Sequence, residues 1–134
     1  MLTPDIRWKQ RLQNYENALR LLNSFAEEQT LSERDLLGFV KAFELTYELA
    51  WKMLKNYLEF QGSTTLIGSR DTFRLAIERG VIDDGVIWFE MIKSRNAATH
   101  TYDHKSALDV ISEVKTHYLY LLNALADQAQ EWQM

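Results

Sequence analysis

From Arg95 to Tyr102 the chain reads "RNAATHTY", which sets a guanidinium, a carboxamide, an imidazole and a phenol close together. These groups suit work on a phosphate ester. A guanidinium presents a fixed fork of donors to phosphate oxygens and stays charged at any physiological pH. An imidazole titrates near neutrality, so it can take a proton from a ribose hydroxyl or give one to a departing oxygen. Arg95 and His100 together suffice for metal-free cleavage of RNA: activate the 2′-hydroxyl, stabilise the crowded phosphorus, protonate the 5′-oxygen that leaves. Asn96 can orient the imidazole or hold a phosphate oxygen, and Tyr102 can bind or be modified. The competing reading is a plain helix end, where an arginine complements the helix dipole and a histidine is just a turn residue.

Spacing narrows the choice. Arg95 and His100 are five residues apart, so on a continuous helix they would point about 140° away from each other. Either the helix ends between them, or each meets a counterpart across a dimer axis. Asp103, a natural cap for a following helix, favours the first and puts His100 and Tyr102 in a tight turn.

Lys41, Glu44, Glu48 and Lys52 recur at helical spacing upstream. A solvated face with i,i+4 ion pairs accounts for them at ~0.2–0.5 kcal/mol per pair. The functional alternative sets Glu44 or Glu48 in the cleft beside Arg95 and His100, with Glu48 the preferred supporting residue. His100 and His104 have a metal-binding spacing, but no third ligand suggests itself and no metal is expected. His117 reads as structural or exposed. "QGSTTLIGS" has the glycines of a phosphate cradle but no lysine after the second one, so no cofactor is expected.

The elements that must position these groups are helical. Proline occurs once, at Pro4, and apolar residues recur every three or four positions, so the chain reads as all-α. A first helix starts near Asp5, with Trp8, Leu12, Tyr15, Leu19, Leu22 and Phe25 on one stripe. A second runs from about Ser32, capped through Asp35, to Phe60, with the seam Leu36, Val40, Phe43, Tyr47, Ala50, Leu54 and Leu58. A short helix from Ser69 stops at Gly80. Asp83 or Asp84 opens "GVIWFEMIKSRN". Asp103 caps a long last helix with the stripe Leu108, Ile111, Val114, Tyr118, Leu121, Leu122 and Leu125. The expected architecture is an up-and-down four-helix bundle with one extra short helix, a single domain over residues 1–134. Trp88 and Phe89 are adjacent, so one of them should face outward, toward a dimer interface.

An apolar content of 46% excludes a disordered chain, and the absence of cysteine removes disulfides and thiolate metal sites. No apolar run approaches the ~20 residues of a membrane span, and the N-terminus lacks the order of a signal peptide, so a cytoplasmic location is expected. A net charge of −4 argues against broad nucleic-acid binding. Any contact with RNA must therefore rest on a few positioned residues.

"RNAATHTY" resembles the R-x4-H-x-Y motif of HEPN domains, with Arg95, His100 and Tyr102 at the motif positions and the polar Asn96 after the arginine. "FELTYELAWKMLKNYLEFQG" and "RGVIDDGVIWFEMIKSRN" look like the subgroup of nucleotidyltransferase substrate-binding proteins, and the resemblance runs from about Trp8 to Tyr120. It implies a homodimer with two motifs facing each other across a cleft. It also implies a metal-independent ribonuclease toxin, with Arg95 and His100 catalytic, neutralised by a minimal nucleotidyltransferase partner that can transfer AMP groups to Tyr102. An older interpretation within the same resemblance makes the bundle a non-catalytic substrate- or nucleotide-binding subunit of a two-component nucleotidyltransferase.

Overall fold

The computed structural model describes residues 4–63, 66–100 and 103–133. They form six helices: α1 (Pro4–Glu27), α2 (Glu33–Phe60), α3 (Gly68–Glu78), α4 (Gly85–Ala98), α5 (His104–Glu113) and α6 (Leu119–Trp132). A five-residue π turn, Val114–Tyr118, joins α5 to α6, so the last two helices are one rod with a wide turn in it. No strand occurs among the described residues, and the bundle is all-α, as the periodicity predicts.

The predicted seams form the core. Trp8, Leu12, Tyr15, Leu19 and Leu22 of α1 are buried, as is every residue of the α2 seam from Leu36 to Leu58. The Tyr15 hydroxyl donates to the Leu122 carbonyl at 2.5 Å, tying α1 to α6 deep inside. Asn23 and Asn123 also link α1 to α6, each side-chain Nδ2 donating to the other's Oδ1, at 2.9 and 3.1 Å.

Local signals set the helix ends. Ser32 and Asp35 form a reciprocal capping box on α2, and Asp103 caps α5 by accepting from the Ser106 N–H at 2.7 Å. The Ser106 bonds hold the Asp103 carboxyl below the usual carboxylate range. Gly80 follows α3 with φ of 70°, a backbone where a side chain would be strained. Asp84 opens α4, but from a left-handed conformation and without a side-chain cap. Its carboxylate accepts from the Tyr120 hydroxyl at 3.1 Å instead.

One expectation needs correction. Leu108 is 44% exposed, and Ala107 occupies the core position. Ala107, Val110, Ile111 and Val114 form the inward face at ordinary i, i+3, i+4, i+7 spacing, and Leu108 falls just beyond its edge. The extra short helix is present as α3 and packs into the core. Phe73 of α3 is fully buried, stacks on Trp88 of α4 at 4.9 Å between centroids and leans on Tyr47 of α2 at 5.8 Å. Of the adjacent aromatics, Trp88 is 1% exposed, whereas Phe89 is half-buried with the Arg70 guanidinium over its ring.

Candidate functional site

The site forms where the last turns of α4 lie against the middle of α2. Arg95 projects from α4, and its Nη2 donates to Glu48 Oε1 of α2 at 2.5 Å. Both side chains are close to 30% exposed, at 29% and 28%, so this pair is shielded far more than a surface ion pair. The guanidinium also lies over the Tyr47 ring, 5.7 Å from its centroid. Nη1 reaches Asn96 Oδ1 at 3.4 Å, while the buried Nε has no hydrogen-bond partner among the described residues.

Each support of Arg95 is itself held. Glu48 Oε2 accepts from the Trp51 indole N–H at 3.0 Å and stands 4.0 Å from Lys52 Nζ. The Tyr47 hydroxyl donates to Ser69 Oγ of α3 at 2.7 Å. Burial pushes the Tyr47 phenol above its ordinary value, against the opposing pull of the Ser69 bond and the Arg95 charge. Behind the site, the hydroxyls of Ser94 and Tyr118 are 2.6 Å apart and share a hydrogen bond. Tyr118 closes the π turn and stacks on Phe43. The residue before Arg95 is thus anchored to the last rod, and π turns recur at functional positions for this kind of re-aiming.

His100 is placed differently. Helix α4 ends at Ala98, between Arg95 and His100 as the spacing suggests. Thr99 still has right-handed helical backbone, and the His100 N–H donates to the Ala97 carbonyl at 3.1 Å. The chain keeps winding, so Arg95 is drawn onto α2 while His100 is exposed. No hydrogen bond or ion pair joins the two residues among those described. Asn96 is exposed beside Arg95. Tyr102 lies outside the described residues.

Glu48 therefore meets Arg95. Glu44 sits one turn away, 3.5 Å from Lys41, with its Oε1 buried and unpartnered among the described residues. His104 lines a hollow of about 180 Å³ between the starts of α2 and α5. Among the described residues, no group of three or more His, Asp or Glu is arranged to hold a metal ion. His117 is half-exposed and 4.0 Å from Glu113. Sequence reasoning missed Tyr47, Trp51, Ser69, Ser94 and Tyr118 as parts of the site. Tyr47 and Tyr118 had already been read as core, and nothing in the spacing of the others marks them.

Residues 10–131 match the family described as nucleotidyltransferase substrate binding protein like. The chain belongs to that family. It is 30% identical over 102 residues to a Haemophilus influenzae protein named probable ribonuclease HepT, covering 71% of this chain and 70% of that one. A crystal structure from Thermus thermophilus superposes with a TM-score of 0.73 at 25% identity, covering 88% of this chain and 97% of the other. A second solved structure, from Haemophilus influenzae, is described as the fold of a substrate binding domain of a nucleotidyltransferase. It has a TM-score of 0.66 at 24% identity and covers 96% of this chain and 99% of its own. No described helix is long and apolar enough to cross a membrane.

Proposed function

We propose that the chain is a HEPN-type endoribonuclease toxin that needs no metal, acts as a homodimer and is held in check by a minimal nucleotidyltransferase partner. The observation that carries this is the setting of Arg95. An arginine that only complemented a helix dipole would lie free in solvent, but this one is fixed between Glu48 and the Tyr47 ring. It retains a buried donor, Nε, with no partner among the described residues. The relative named a probable ribonuclease supports the same reading.

In the proposed reaction the RNA 2′-oxygen attacks the adjacent phosphorus and the bond to the 5′-oxygen breaks. The products are a 2′,3′-cyclic phosphate and a 5′-hydroxyl. A neutral imidazole takes the 2′-hydroxyl proton, and a protonated one supplies the proton that leaves with the 5′-oxygen. Two copies of His100 facing one cleft fill both roles, which accounts for a chain in which His100 and Arg95 are not joined. Arg95 stabilises the charge that builds on the phosphorus oxygens, Glu48 fixes Arg95, and Asn96 supports His100 or a phosphate oxygen. Tyr102, two residues after His100, is the site for AMP transfer by the partner. The added phosphodiester would bring negative charge to the motif and oppose the binding of RNA phosphate.

The second reading is a non-catalytic subunit that presents a substrate or nucleotide to the nucleotidyltransferase, favoured by the family description and by the Haemophilus structure. Incubation of the purified protein with total tRNA and single-stranded RNA in excess chelator separates the two. The expected result is cleavage at a rate unchanged by the chelator, with cyclic phosphate ends. Intact RNA would leave the binding subunit as the better reading.

A further inference from the structure

Glu48 ties together more than Arg95. Its Oε1 accepts from Arg95 of α4, while its Oε2 accepts from the Trp51 indole and lies 4.0 Å from the Lys52 ammonium. The Lys52 ammonium also stands over the Trp51 ring, 5.9 Å from its centroid. Charge makes this arrangement informative. Arg95 and Glu48 alone are a neutral pair, a poor attractor for a polyanion in a chain of net charge −4. Lys52 turns the cluster into two cations around one anion.

Lys52 is available for a ligand. Its side chain is 42% exposed, and 4.0 Å to Glu48 is too long for a hydrogen bond. Trp51 is half-buried. Its only polar donor is spent on Glu48, so what it can offer a ligand is ring surface. Aromatic faces beside cations that follow a backbone are the common means of holding single-stranded nucleic acid, because every base has a face to stack. Glu48 and Lys52 are one helical turn apart, about 6 Å along the axis, which is the scale of one nucleotide of backbone.

We propose that Lys52 and the ring of Trp51 form the subsite for the nucleotide adjoining the scissile phosphate, with Lys52 on the neighbouring phosphate and Trp51 against the base. The ligand is single-stranded RNA, and the subsite rests on the ribonuclease reading above. Because Trp51 recognises a face and Lys52 a charge, the subsite holds the strand in place without choosing its sequence.

The test is binding of an uncleavable 2′-O-methyl oligoribonucleotide to the full-length protein and to Lys52→Gln over a series of salt concentrations, with cleavage of ordinary RNA followed in parallel. Glutamine keeps the helix and removes only the charge, and circular dichroism checks the fold. The expected result is weaker binding by Lys52→Gln, with a salt slope smaller by about 0.7, the share of one phosphate contact on a single strand. The oligonucleotide should also quench tryptophan fluorescence in the wild type and much less in Trp51→Phe. An unchanged slope and quench, with cleavage still dependent on His100, would overturn the subsite and leave the ribonuclease reading standing. Lys52-dependent binding without cleavage would overturn the ribonuclease reading and, with it, the placing of Lys52 and Trp51 beside a scissile phosphate. Neither binding nor cleavage would remove both.

Discussion

Replacing Arg95 by lysine is expected to lower the cleavage rate by about 10²–10³-fold, the usual cost of one lost donor to transition-state charge. The loss should fall on kcat more than on KM, because lysine keeps the positive charge that draws RNA. What it lacks is the planar fork. Arg95 reaches Glu48 through Nη2 while its guanidinium lies over the Tyr47 ring, and an ammonium on a flexible stem cannot satisfy both contacts and still present paired donors to a phosphate. Stability should change little, since the charge opposite Glu48 remains and Glu48 keeps its bond from Trp51. Single-turnover cleavage beside thermal unfolding checks this. A rate within twofold of wild type would mean that Arg95 does not meet the phosphate.

Trp88→Ala is expected to cost about 3–5 kcal/mol of folding stability, as for other large aromatic truncations in cores. That is a large share of the 5–15 kcal/mol typical of a domain. Trp88 is fully enclosed and stacks on Phe73, which in turn leans on Tyr47 beneath Arg95. The cavity would therefore open under the site, and cleavage should weaken along with stability. Phe89→Ala, one residue away but half-buried, serves as the control and should cost much less. Urea unfolding of the two variants measures the difference, and equal losses would contradict the packing described.

Much of this bundle can be read from local pattern. The α1 and α2 seams follow from apolar spacing, and the Ser32 and Asp103 caps from side-chain chemistry next to each helix start. The π turn is hidden because a single extra residue in a turn leaves the stripe looking regular. The Arg95–Glu48 pair spans 47 residues of sequence, so no local rule can find it. Glu48 could be singled out by type and spacing but not told from a member of a solvated stripe. Tyr47 was legible as core and is core, and its second role under Arg95 depends on α4 and α3 arriving on either side of it. The role of Lys52 is concealed in the same way, behind an ordinary i,i+4 partner.

The most direct measurement is cleavage of tRNA and single-stranded RNA, in the presence of chelator, by the wild-type protein and by His100→Ala. Imidazole proton transfer is worth about 10²–10⁴-fold, and His100 is exposed just past the end of α4, so the variant should fold as the wild type does and lose activity by that factor. Equal cleavage by the two proteins would contradict a catalytic role for His100 and, with it, the reading of "RNAATHTY" as an active site.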